Sequence, residues 1–354
     1  MIVVFRILLV IAVVTALTTP AQCQPSREIH IGITLPLTGP ASAYGSAAQN
    51  GFLLAKEMYP QELRDITLHF EDHQLRPTLA VSAYSSLQRR FPILAHYDFG
   101  SATSLAIAPI AAKRNRIFIS SAYDPAVSQA RPSVYRFANS TSDYALVLLN
   151  GLRARNLRRF TIMVSQNAFF EQFVAAFRDL LLPEESLETL EVSPDESDLG
   201  PLIVKVRQHI EKSDALGLFM FTEQALNLLR RCEKGCAKIQ LFGTDSFEEL
   251  ATTGERADFT TGLLYPNSTV QPEFLRHYEK RFSSTSHVTF AASSFDLALL
   301  LAEGVAQCHE CSAIDVKIAL ESQQARRGML GEYRYRESLH VGKHFSSRIA
   351  LKQL

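Results

Sequence analysis

The chain has 354 residues, 47% hydrophobic and 20% charged, the composition of a globular protein of about two domains. Its 36 Lys and Arg balance 36 Asp and Glu, which argues against the one-signed field used to bind nucleic acid or an anionic membrane.

The first stretch reads as a targeting segment. Arg6 supplies a short positive region, residues 7–17 are apolar apart from Thr15, and Thr18-Thr19-Pro20 breaks the run. Ala21-Gln22-Cys23 offers a small-x-small cleavage site. Residues 1–23 are therefore expected to be a signal peptide and the mature protein to be periplasmic or secreted. The run is too short to span a bilayer, and no later segment is expected to span one. Lipidation at Cys23 is the alternative, although Gln22 stands where a lipobox carries a small residue. Without Cys23 four cysteines remain: Cys232, Cys236, Cys308 and Cys311. In an oxidising compartment they read as two disulfides, most simply Cys232–Cys236 and Cys308–Cys311. The rival is a zinc site made by both pairs with His309.

Along the chain, apolar runs alternate with helical patterns. Strands are expected at 29–35, 66–70, 92–96 and 116–120, with helices at 47–57 and 78–89 between them. After a pause near 136–143 the alternation resumes. Strands are expected at 160–164, 187–192, 215–222 and 239–242, and helices at 169–181, 199–210 and 224–231. Helices follow at 272–282, 290–306 and 313–321, then strands at 331–335 and 347–351. Alternation of this kind predicts an α/β fold with parallel sheets flanked by helices. Asn139-Ser140-Thr141 and Asn267-Ser268-Thr269 match the glycosylation tripeptide. The nucleophile-elbow, P-loop and zinc-protease motifs are absent, so no enzyme, cofactor or metal site is expected.

The most informative stretch is Gly100-Ser101-Ala102-Thr103-Ser104, between the strand at 92–96 and a small-residue helix ending near Lys113. A helix N-terminus presents unpaired N–H groups and the positive end of a dipole. Ser101, Thr103 and Ser104 add hydroxyl donors there, so the turn suits a carboxylate or another small anion. A hydroxyl that merely caps the helix is the plainer alternative.

Several motifs then carry a resemblance. Ile31-Gly32-Ile33-Thr34-Leu35-Pro36-Leu37-Thr38-Gly39-Pro40 is followed by Tyr44-Gly45 and Gly51. Ser101 precedes Leu105-Ala106-Ile107-Ala108-Pro109, and Ile119-Ser120-Ser121-Ala122-Tyr123-Asp124-Pro125 comes next. Arg136-Phe137 with Asp143, Phe242-Gly243-Thr244-Asp245, and the 291–301 helix with Asp296 complete the set. In this order and spacing the chain resembles the periplasmic substrate-binding proteins of the branched-chain amino acid ABC-transporter family, over residues 29–351.

The resemblance implies two Rossmann-like lobes with a ligand cleft between them, joined by three hinge crossings near 140–143, 265–268 and 328–333. Residues 27–141 with 267–329 would form the N-terminal lobe, and 142–266 with 330–354 the C-terminal lobe. It also implies roles: Ser101 donates to a ligand carboxylate, Ser121, Ala122 and Tyr123 contribute groups beside it, and Tyr44 lines the first lobe. Asp245 pairs with a ligand ammonium, Phe169 covers the ligand and Thr222 closes the cleft. The implied function is a monomeric extracytoplasmic binder of a small polar ligand, an amino acid or related carboxylate, delivering it to a membrane ABC permease. A ligand-sensing module for a membrane receptor is the alternative.

Departures from the family pattern mark the cleft. Tyr97-Asp98 replaces a frequent Gly-Pro, the turn at 122–124 is one residue shorter and carries Tyr123, and Phe170 replaces a common Gly. A bulkier, more aromatic cleft is expected, with Asp98 either an extra acid in it or a strand-end acid in solvent.

Overall fold

Apolar strands and amphipathic helices alternate through the computed structural model, which describes residues 28–193, 200–232, 236, 238–253, 258–306, 312–322, 325–338 and 342–354. The expected signal peptide, Cys308, Cys311 and His309 lie outside the described residues.

The first lobe is laid down as β1 (Ile29–Leu35), α1 (Ser42–Met58), β2 (Ile66–Asp72), α2 (Pro77–Arg90), β3 (Ile93–Asp98), α3 (Ser101–Lys113), β4 (Ile117–Ser120) and β5 (Val134–Phe137). The second follows as α4 (Thr141–Arg153), β6 (Arg159–Ser165), α5 (Ala168–Asp179), β7 (Ser186–Val192), α6 (Gly200–Ile210), β8 (Ala215–Phe219), α7 (Thr222–Cys232), β9 (Gln240–Gly243), α8 (Glu248–Thr253) and β10 (Leu264–Ser268). The chain then returns to the first lobe through α9 (Pro272–Phe282), α10 (Val288–Ala306) and α11 (Ala313–Leu320). It ends in β11 (Arg326–Gly328), β12 (Gly331–Ser338), β13 (Gly342–Ser346) and β14 (Ile349–Gln353).

Two sheets result, ordered β11-β12-β13-β5-β4-β3-β1-β2 and β14-β10-β9-β8-β6-β7. Their central strands are covered by helices on both faces, which is why Ile31, Ile33, Ile119, Ile162 and Leu218 are all essentially inaccessible. The α/β class and the two-lobed architecture agree with the sequence reading.

The last strands depart from it. β13 pairs parallel to β5 (His344 opposite Arg136, Phe345 opposite Phe137), and β12 pairs antiparallel to β13. Of residues 330–354 only β14 joins the second sheet, antiparallel to β10. The third crossing therefore lies at Ser347-Arg348 rather than at 328–333.

One polar knot ties all three crossings. The Asn139 amide nitrogen donates to the hydroxyls of Ser268 and Ser347 at 3.3 Å each, and the Ser347 N–H donates back to Asn139 Oδ1 at 2.9 Å. Asn139 and Asn267, the two tripeptide asparagines, are 4% and 1% exposed, so neither amide is placed to carry a glycan.

Helix α10 is, by length and composition, apolar enough to cross a membrane, which the sequence reading did not count; most of it is buried against α1 and the first sheet. Cys232 and Cys236 form a disulfide within the apolar core of the second lobe, so this pair is not free to ligate zinc.

Candidate ligand site between the lobes

The sharp turn from β3 into α3 sets one wall of the site. Gly100 has φ +113°, and a Cβ there would lie 2.7 Å from Leu75 Cδ1, so glycine is required. Its N–H donates to the Ser121 hydroxyl at 3.2 Å. The first N–H groups of α3 have no intrahelical acceptor. Gly100, Ser101 and Ala102 face a partly open cleft of about 130 Å³, room for a ligand of on the order of ten non-hydrogen atoms.

The hydroxyls of this turn divide into two sets. Ser101 and Ser121 line the cavity. Thr103 does not: its hydroxyl donates to the carbonyls of Phe99 and Gly100 at 2.9 and 3.1 Å, which fixes the turn from within. Ser104 also points away, donating to Asp98 Oδ2 at 2.7 Å and accepting from the Ser120 hydroxyl at 2.6 Å. Asp98 is inaccessible beneath α3, where it also accepts from Thr34 Oγ1 at 2.6 Å, and burial pushes its carboxyl up to about 7. It is neither a cavity acid nor a solvent-exposed one.

The opposite wall comes from the second lobe. Asp245 follows β9, and its carboxylate accepts from the Tyr123 hydroxyl at 2.6 Å, a contact made across the cleft. Burial pushes the Asp245 carboxyl up to about 6, with the Tyr123 hydrogen bond opposing that shift. Among the described residues no Lys, Arg or His forms a salt bridge with Asp245, and the cavity lining contains no Lys or Arg. Tyr123 is itself braced: its ring stacks on Tyr144 at 5.0 Å, and the buried Arg136 guanidinium donates to its carbonyl at 3.2 Å. Thr222 lies outside the cavity; its hydroxyl donates to the Ser246 carbonyl at 2.8 Å and so anchors the loop that carries Asp245. Ala122 is buried in the core beneath α3, its N–H bound to the Ser120 hydroxyl.

Aromatic rings fill the remaining wall. Tyr44 and Phe169 line the cavity as read from the sequence, and so do Phe99, Phe170, Phe221 and Phe290. Tyr44 stacks on His287 at 3.9 Å, and Phe221 meets Phe170 edge-on at 5.1 Å. Of these the sequence reading placed Phe170 in the cleft but passed over Phe99, Phe221 and Phe290. Phe99 and Phe221 stand just beyond the C-terminal ends of β3 and β8, the place where open α/β sheets present ligand contacts, and that position was the available signal. Of the residues assigned to the ligand, Tyr44, Ser101, Ser121, Tyr123, Phe169 and Asp245 converge on one cavity, while Thr103, Ser104, Ala122 and Thr222 support it from behind. Among the described residues no group of three or more His, Cys, Asp or Glu could hold a metal ion.

A family model described as periplasmic binding protein matches residues 28–349. The chain belongs to that family. No curated protein matches it. Among solved structures, this periplasmic binding protein is similar to the leucine-binding protein LivK of Thermotoga maritima (TM-score 0.78, 18% identity, 92% of this chain and 95% of the other covered). It is also similar to LivJ of Streptococcus pneumoniae in complex with isoleucine (TM-score 0.76, 17% identity, 93% and 96% covered). A third is an ABC-transporter solute-binding protein of R. palustris in complex with benzoate (TM-score 0.79, 16% identity, 92% and 93% covered). At these identities the likeness speaks for the fold, and the ligands named belong to those proteins.

Proposed function

We propose that the protein captures an α-amino acid with an apolar or aromatic side chain outside the cytoplasm and delivers it to a membrane ABC permease. The observation that carries this reading is the pairing of opposite walls in one cavity. The α3 N-terminus, with the Ser101 and Ser121 hydroxyls, offers donors to a carboxylate, and across the cleft stands a buried acid, Asp245, with no cationic partner among the described residues. A desolvated acid is stabilised by a countercharge, and a ligand ammonium supplies one. The aromatic wall between them suits an apolar side chain. The named ligands of the similar structures, leucine, isoleucine and benzoate, share a carboxylate and an apolar body.

One feature favours a second reading. Tyr123 already donates to Asp245, and seven aromatic residues line the cavity, an arrangement that also suits an aromatic carboxylate without an amine. Mass spectrometry of the small molecule released on denaturing freshly purified protein decides between them. An α-amino acid supports the proposal. A benzoate-type acid supports the second reading, and a ligand without a carboxylate overturns both.

A further inference from the structure

A second concave site lies at the hinge, apart from the ligand cavity and sharing no residue with it. It is a groove of about 750 Å³ lined by Arg327, Arg334, Arg336 and Arg348 with a single acid, Glu332. The strand pattern builds it. Along β12, Tyr333 and Tyr335 turn into the apolar core, while Glu332, Arg334 and Arg336 turn outward and are exposed. Two outward residues on one strand stand about 7 Å apart, so Arg334 and Arg336 repel each other at close range. Register brings Arg327 on β11 opposite Glu332, and Ser346 on β13 opposite Arg334.

Glu332 accepts from Arg334 at 2.6 Å, and among the described residues Arg327, Arg336 and Arg348 have no carboxylate within ion-pair distance. The floor of the groove is open backbone: Gly331 has φ +92°, and a Cβ there would meet nothing within 4 Å. This concentration of positive charge occurs on a chain whose formal net charge is zero. Planar guanidinium forks match phosphate oxygens with two parallel hydrogen bonds each, and several of them around one concavity favour a multivalent anion over a monovalent one.

We propose that this groove is a binding site for a multivalent phosphate, either a free polyphosphate or phosphate ester, or the headgroup of an anionic phospholipid. Gln271 and the Ser347-Arg348 crossing form part of its lining, so the bound phosphate spans the terminal hairpin and two of the three crossings between the lobes. Each arginine contributes a charge-assisted contact, and salt weakens the complex.

The test uses the full mature chain and two probes. Inorganic tripolyphosphate is titrated calorimetrically at low salt, and vesicles of phosphatidylglycerol are compared with vesicles of phosphatidylcholine by co-sedimentation. Both are repeated with Arg334→Ala/Arg336→Ala and with the milder Arg348→Ala, each checked for an unchanged urea denaturation midpoint. Tripolyphosphate binding that weakens by about tenfold or more in the double variant supports the proposal with a free phosphate as source. Binding to phosphatidylglycerol vesicles alone, lost in the same variants, supports it with a lipid headgroup as source. No binding of either probe, or binding that both variants retain in full, overturns it.

Discussion

Asp245 is a carboxyl held in the protein interior by one hydroxyl donor, Tyr123, at 2.6 Å. Its folded-state value, about 6, lies above the ordinary 3.8, so folding favours the neutral acid. The resulting penalty is fully present above about pH 6 and is relieved as pH falls toward 4. Asp245→Asn is therefore expected to stabilise the ligand-free protein by on the order of 3 kcal/mol at pH 7 and by less at pH 5, read by urea denaturation of both proteins at the two pH values. The comparison with wild type isolates Asp245, because the buried His73 and His287, both held near 4 by burial, have the opposite sign and lose stability as pH falls below 6.5. An equal difference at both pH values would mean that Asp245 is not desolvated. On the facing wall, Ser101→Ala removes one donor beside surviving backbone N–H groups and is expected to weaken ligand binding by about 1–3 kcal/mol in a calorimetric titration. An unchanged affinity would mean that the Ser101 hydroxyl does not touch the ligand, since the helix cap is Gly100 and no side chain caps it. That Ser101, Tyr123 and Asp245 meet at one cavity was legible in the sequence because each sits in a motif just beyond a strand. The roles of Thr103 and Ser104 were not, because a hydroxyl in a first helical turn reads the same whether it faces a ligand or, as here, binds Phe99 and Asp98 behind the turn.

At the scale of elements, the close approach of α1 and α10 holds the first lobe together. A Cβ on Gly51 would lie 2.0 Å from the Ala291 carbonyl oxygen, backbone against backbone, where no side chain can move aside. Gly51→Ala is expected to destabilise the fold by at least about 1–3 kcal/mol, measured as a lower urea midpoint with an unchanged slope. Wild-type stability in that variant would contradict the packing described. The alternation of strand and helix was readable from apolar periodicity, since the parallel strands inside each sheet, such as β4 and β8, are buried on both faces. The partner sheet of β12 and β13 was not. A period of two in Glu332-Tyr333-Arg334-Tyr335-Arg336 announces a strand with one exposed face, but its pairing through β13 to β5 joins residues about two hundred positions apart, and no local pattern encodes that.

For the whole molecule, two lobes meet across a cavity and are joined at a knot formed by Asn139, Ser268 and Ser347. A ligand touching both walls favours the closed arrangement, so small-angle scattering should show a smaller radius of gyration once the cognate ligand is added. An unchanged radius would argue against hinged lobes. The central claim is that Asp245 pairs with the ammonium of a bound amino acid whose carboxylate lies at the N-terminus of α3. Its most direct test is calorimetric titration of that amino acid into wild type and Asp245→Ala at pH 7 and pH 5. The expected result is a loss of about 2–5 kcal/mol in the variant at pH 7, roughly thirtyfold to several-thousandfold in affinity. In wild type, affinity should fall by about tenfold from pH 7 to pH 5 as the carboxyl, titrating at about 6, becomes protonated. Undiminished binding to Asp245→Ala, or wild-type affinity that rises on acidification, would contradict the claim.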